Sequence, residues 1–156
     1  MKKSFFILLV LLLSFVGCGS NSIPRTNNSY TIETESPYTI TNDISTATLS
    51  INEISSDKKT ITVAFSYFGE NHFTYGDHYK IEVLQNNKWY SLKESETFIS
   101  DVGYIVENGQ TSTASYNLNR FGTLSPGHYR IIIAVTNYTE NENKTPHYLS
   151  AEFDIE

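Results

Sequence analysis

Apolar side chains recur at every second residue through most of this chain, and that period is what most limits the shapes open to it. Ile61, Val63, Phe65 and Tyr67 alternate with Thr62, Ala64 and Ser66; Tyr79, Ile81 and Val83 alternate with Lys80, Glu82 and Leu84; Tyr129, Ile131, Ile133 and Val135 alternate with Arg130, Ile132 and Ala134. Successive side chains of a β-strand point to opposite faces, so each run offers one face to a core and one to the outside. Ala47, Leu49 and Ile51 repeat the pattern, as do Leu149, Ala151, Phe153 and Ile155. Residues 88–92, 102–106 and 112–118 read as shorter strands, and Ile132 makes 129–135 the most apolar run and hence a central one. Strands follow one another with no helical period between them, which excludes βαβ units and leaves a sandwich or a barrel. The 11 Tyr and 9 Phe, with plentiful Thr, Val and Ile, suit half-buried pleated surfaces.

Turn chemistry separates these runs. Asn86-Asn87 tolerates positive φ and predicts a tight hairpin, Ser55-Ser56-Asp57-Lys58 makes a second turn, and Asn108-Gly109 a third. Residues 68–76 interrupt the alternation and read as a loop, with Gly76 permitting a close turn. Pro126-Gly127 predicts a type II turn leading into the apolar strand, with Gly127 at positive φ. Tyr129 then stands near the start of that strand, where a buried tyrosine bonds its hydroxyl to nearby backbone as in a tyrosine corner. Trp89, the only tryptophan, either covers one end of the core or is displayed beside Tyr90.

Ahead of the strands lies an address. Lys2 and Lys3 precede an apolar block from Phe5 to Leu13 that closes at Ser14, Phe15, Val16 and Gly17, the layout of a secretory signal. The apolar stretch is short for a membrane span and runs into a polar segment. Phe15-Val16-Gly17-Cys18-Gly19 resembles the lipobox of bacterial lipoproteins, with Phe15 where that family has Leu. The resemblance implies acylation of Cys18 and cleavage before it, so that the membrane becomes a partner through the lipid; the alternative is an ordinary signal with an incidental cysteine. Cys18 is the chain's one cysteine, so no internal disulfide forms. The expected divisions are a signal peptide over 1–17, a lipidated cysteine with a flexible polar tether over 18–36, and one domain over 37–156, with Tyr30 and Ile32 as a possible early edge strand. After residue 17, nine Lys and Arg face 17 acidic residues, because Lys2 and Lys3 leave with the signal. That balance disfavours nucleic acid and anionic headgroups, which need clustered cations.

Two stretches, Phe73-Thr74-Tyr75-Gly76 running through Tyr79-Lys80-Ile81-Glu82 to Lys88-Trp89-Tyr90, and Phe121-Gly122-Thr123-Leu124-Ser125-Pro126-Gly127-His128-Tyr129-Arg130-Ile131, resemble a bacterial immunoglobulin-like domain of secreted and lipid-anchored Gram-positive proteins. The resemblance implies an all-β immunoglobulin-like sandwich of seven to eight antiparallel strands. It says little about activity, because such domains are defined by fold.

Catalytic motifs are missing: there is no Gly-x-Ser-x-Gly, His-Glu-x-x-His or phosphate-binding glycine loop. His72, His78, Glu70 and Asp77 share one segment but match no known ligand spacing, so no metal and no cofactor is expected. Glu94 and Glu96 sit in a solvated loop. The expectation is a non-enzymatic, membrane-anchored, extracytoplasmic binding or accessory domain whose partner is a protein or the cell wall. Phe73, Tyr75, Trp89 and Tyr90 are its candidate contacts. The alternative is a protease inhibitor presenting the loop over 93–103.

Overall fold

The computed structural model describes residues 30–95, 100–138 and 146–156; the expected signal peptide, Cys18 and Glu96 lie outside them. Among the described residues nine strands are formed: β1 (Ile32–Glu35), β2 (Ala47–Ile54), β3 (Thr60–Tyr67), β4 (His72–Gln85), β5 (Lys88–Leu92), β6 (Gly103–Glu107), β7 (Thr111–Asn117), β8 (Gly127–Tyr138) and β9 (Pro146–Ile155). A 3-10 turn, Leu118–Phe121, lies between β7 and β8. All pairings are antiparallel. One sheet runs β1-β5-β4-β8-β9 with β6 added to β4, and the other runs β2-β3-β7. This is the expected immunoglobulin-like sandwich, with β1 as the strand beyond the expected eight.

The alternating runs supply the core. Ile61, Val63 and Phe65 of the small sheet face Phe73, Ile81, Ile131, Ile133 and Leu149 of the large one, all with no exposed surface. Fully burying one such side chain contributes about 1.5–3 kcal/mol, so the two inward faces hold the layers together. Tyrosines then join the sheets at specific points. The Tyr67 hydroxyl on β3 donates to Asn137 Oδ1 on β8 at 3.0 Å, and those of Tyr75 on β4 and Ser112 on β7 bond at 2.9 Å. Tyr79 on β4 donates to the Asn117 carbonyl on β7, and Tyr116 on β7 donates back to the Gly76 carbonyl on β4. Burial holds the Tyr116 hydroxyl far above its ordinary pKa, which keeps it a donor.

Several turns form as their residues predict. Asn86 and Asn87 have φ of 51° and 61°, and Gln85 pairs with Lys88 across them, a two-residue hairpin with both central residues left-handed. Lys58 takes φ 57° in the second turn. Asn108-Gly109, with Gly109 at 74°, does not close a hairpin: β6 pairs with β4 and β7 with β3, so the turn carries the chain from one sheet to the other. Tyr129 is a tyrosine corner, its hydroxyl donating to the Ser125 carbonyl at 2.7 Å.

Four expectations change. The segment before Gly76 is strand rather than loop: β4 begins at His72 and pairs with both β6 and β8. Its alternation is masked because Gly76, Asp77 and His78 form a bulge, with Tyr75 opposite Val135 and Tyr79 opposite Ile133. Gly76 lies close to the chain just ahead of β6, where a Cβ would stand 3.2 Å from the Val102 carbonyl oxygen. No type II turn forms at Pro126-Gly127, because Gly127 is already the first residue of β8; the positive φ falls on Gly122, at 87°, where it caps the 3-10 turn. Finally, the domain starts before residue 37: Tyr30 is buried with its ring edge-on to Tyr129, and β1 pairs with β5.

If the tyrosine hydroxyls hold the sheets, Tyr67→Phe and Tyr79→Phe should each lower unfolding free energy by about 1 kcal/mol, and the double variant by their sum to within about 0.5 kcal/mol. Urea titration followed by circular dichroism measures this. Unchanged midpoints in both single variants would remove the hydroxyls from the account.

Candidate functional site

The outer face of the six-stranded sheet is where polar chemistry concentrates. After β1 the chain crosses that face from one edge to the other. Ser36 N donates to the Trp89 carbonyl on β5 at 2.9 Å, and Asn42 N donates to the Tyr148 carbonyl on β9 at 2.7 Å. Asn42 Nδ2 and Oδ1 also bond the backbone of Ser150, and the Tyr38 ring packs on that of Tyr148 with centroids 4.8 Å apart. This strap buries two outward residues that alternation alone would leave in water.

Those residues are Glu82 on β4 and Arg130 on β8, directly paired across the strands. Arg130 Nε and Nη2 reach Glu82 Oε2 at 2.8 and 2.6 Å. Ser91 donates to the other carboxylate oxygen at 2.9 Å, and Glu82 has no exposed surface. Arg130 Nη2 also donates to Ser36 Oγ at 3.2 Å and to the Tyr38 carbonyl at 3.1 Å. Trp89 lies against the guanidinium, 4.5 Å from ring centroid to Cζ. Both carboxylate oxygens and the Nε and Nη2 nitrogens of the guanidinium are thus engaged, as the burial of a charged pair requires.

The four residues expected as partner contacts are placed differently from that expectation. Phe73 and Tyr75 point into the core, at 0% and 4% exposed, because residues 72–76 are strand and not loop. Tyr90 pairs with Val83 and packs half-buried against the core. Trp89 neither covers an end of the core nor stands free: it pairs with Leu84 on the outer face and stacks on Arg130. They form no common surface.

A small cleft beside the strap is lined by Tyr38, Tyr148, Ile132, His78, Lys80 and Glu94. Lys80 and Arg120 both bind Glu94, at 2.8 and 2.6 Å, so its charges are already satisfied. The histidines and carboxylates are likewise dispersed. His72 stacks on Tyr138, Asp77 accepts from Ser100 at 2.7 Å, and His147 meets Asp43 at 3.0 Å. Among the described residues no group of three or more His, Cys, Asp or Glu is placed to hold a metal ion. In the expected inhibitory loop, residues 96–99 lie outside the described residues; ahead of them Lys93 N donates to the Thr31 carbonyl and Ser95 N to the Arg120 carbonyl.

The profile of the bacterial Ig-like domain matches residues 41–153. The chain belongs to the bacterial Ig-like domain family. No match to a curated protein or to a solved structure accompanies it. The match begins within the strap, so Tyr30, β1, Ser36 and Tyr38 precede the part of this bacterial Ig-like domain that its family shares.

The strand expected over 102–106 forms as β6, and what sequence reasoning missed is its exposure. Val102, Tyr104 and Ile105 are 52%, 42% and 58% exposed, three of the five large apolar side chains left open among the described residues. The signal was present as a run of apolar residues with no alternation, Val102, Tyr104, Ile105 and Val106. Only Val106 is spent on the core.

Removing one partner of the Glu82–Arg130 pair leaves a buried charge uncompensated, so Glu82→Ala should cost about 3–5 kcal/mol in urea unfolding. Replacing both, as Glu82→Leu with Arg130→Met, should restore stability to near the parent or above it. A second expectation concerns pH. His128 sits between Asp154 and Glu152, at 2.7 and 2.9 Å, and hydrogen bonds to these carboxylates, Asp154 foremost, raise its pKa above 6.5. A raised folded-state value means stability fully present below pH 6.5 and lost as pH rises beyond that, through the raised value. His128→Gln should therefore lower the melting temperature in acid and leave it unchanged at alkaline pH. Because the ring is 36% exposed, water screens the effect and the shift is small.

Proposed function

We propose that this chain is a non-enzymatic binding or accessory domain, held by a lipid on Cys18 at the extracytoplasmic face of a Gram-positive cell membrane. The observation that carries the reading is the order of parts: Lys2 and Lys3, an apolar block, Gly17-Cys18, and then a bacterial Ig-like domain that is already folded at Tyr30. Two or more acyl chains hold a protein stably on a bilayer, and a diacylglycerol on Cys18 supplies them.

Because Tyr30 and β1 belong to the fold, the leash is shorter than composition indicates. Residues 19–29 are then the sequence left between Cys18 and the first buried residue of the fold, Tyr30. An excess of acidic residues after Cys18 opposes adhesion to an anionic surface, so the domain stands off the membrane that anchors it. With catalytic motifs absent from the sequence, the work left for such a domain is contact with a neighbour, through loops or a sheet edge.

Cells expressing the chain and fed radiolabelled palmitate should incorporate label into the wild type and none into Cys18→Ser, which should move from the membrane fraction to the soluble one. Equal labelling of the two proteins, or none in either, would overturn the anchoring.

A further inference from the structure

Among the described residues five strands stand at a sheet edge, and four of them are blunted against further pairing. β1 carries Glu33 and Glu35 in the open. The outer edge of β9 is occupied by the strap, through Asn42 to Tyr148 and Ser150. β2 has a register shift between Ile51 and Glu53, and the outward residues of β7 are Thr111, Thr113, Ser115 and Asn117. Charge, coverage, bulges and small polar residues are the devices by which edges avoid pairing with other chains.

β6 has none of these along its middle. It pairs with residues His72–Gly76 of β4 on one side, and no other described strand pairs with it on the other. Its open apolar residues lie on both faces: Tyr104 shares the inward side with Val106, stacking on Tyr75 at 5.2 Å, and Ile105 lies on the outward side opposite Thr74. The charges stand only at the ends, Asp101 before the strand and Glu107 at its last residue, with Asp77 beside the Tyr104 hydroxyl.

We propose that β6 is a docking edge that accepts an extended segment of another protein as an added strand, and that this segment has apolar or β-branched residues at its centre and Lys or Arg at its ends. This deepens the accessory reading above and rests on it. Main-chain bonds along the open side of β6 would hold the segment, Tyr104 and Ile105 would pack on its central residues, one per face, and the acidic ends would select the basic flanks. The same charges disfavour a second copy of this chain. Antiparallel pairing about Tyr104 sets Asp101 of each copy against Glu107 of the other, and like charges directly opposite are destabilising.

The probe is a synthetic peptide of about eight residues, alternating Thr with Val or Ile and flanked by Lys, beside a version flanked by Glu. Each is titrated by fluorescence anisotropy against the full chain in detergent micelles, and the site is read by hydrogen–deuterium exchange. The proposal expects the Lys-flanked peptide to bind, to slow exchange within β6, and to exceed the Glu-flanked one by about tenfold or more. Ile105→Lys should weaken it by about tenfold or more with an unchanged melting temperature. Equal binding of the two peptides, protection away from β6, or β6 protection that grows with chain concentration when no peptide is present would each overturn it. Anchoring is read separately: palmitate labelling of Ile105→Lys should match the parent, so failure of the edge leaves the anchor standing. Failure of the anchor leaves the peptide result standing.

Discussion

Hydrogen bonds from buried tyrosines are the constraint on which this sandwich turns. A domain with no cysteine of its own cannot bolt its layers covalently, and packing alone specifies a separation better than it specifies a register. Tyr67, Tyr75, Tyr79 and Tyr116 each reach from one sheet to a named acceptor or partner on the other, from Asn137 at one end to Asn117 at the other. A tyrosine is suited to this because its ring fills the core while its hydroxyl requires a partner when buried. The same rings stack on neighbours such as Phe65, whose centroid is 3.9 Å from that of Tyr75, so burial and direction come from one residue type.

The outer face of the large sheet obeys a different logic. Desolvating Glu82 and Arg130 costs free energy, and the pair is tolerable only because Ser91, Ser36, the Tyr38 carbonyl and Trp89 complete its contacts. Half of that set comes from residues ahead of the family's shared region. The leading segment is thus part of what makes an interior charge acceptable, and the fold and its strap are matched to each other.

Much of this was legible in the chain. Period-two alternation located β2, β3, β8 and β9, and Asn86-Asn87 located the hairpin, because those are local properties. The start of β4 was not legible, because a two-residue bulge at Gly76–His78 keeps the inward parity but breaks the visible rhythm. Gly127 misled for a related reason: Pro-Gly favours a turn wherever it stands, yet the chain had already turned at Gly122. Two of the candidate contacts, Phe73 and Tyr75, are core, since prominence of an aromatic residue in a sequence does not distinguish display from burial. The exposure of β6 depends on which strand lies beside it, a long-range fact that no local pattern carries.

The strap also decides how this domain bears load. Tension entering through residue 30 would meet first the buried Tyr30 ring against Tyr129 and the short ladder between β1 and β5, and then the grip of Arg130 on Ser36 and Tyr38. The same contacts that cover the buried ion pair would therefore be the ones that resist a pull on the leading segment.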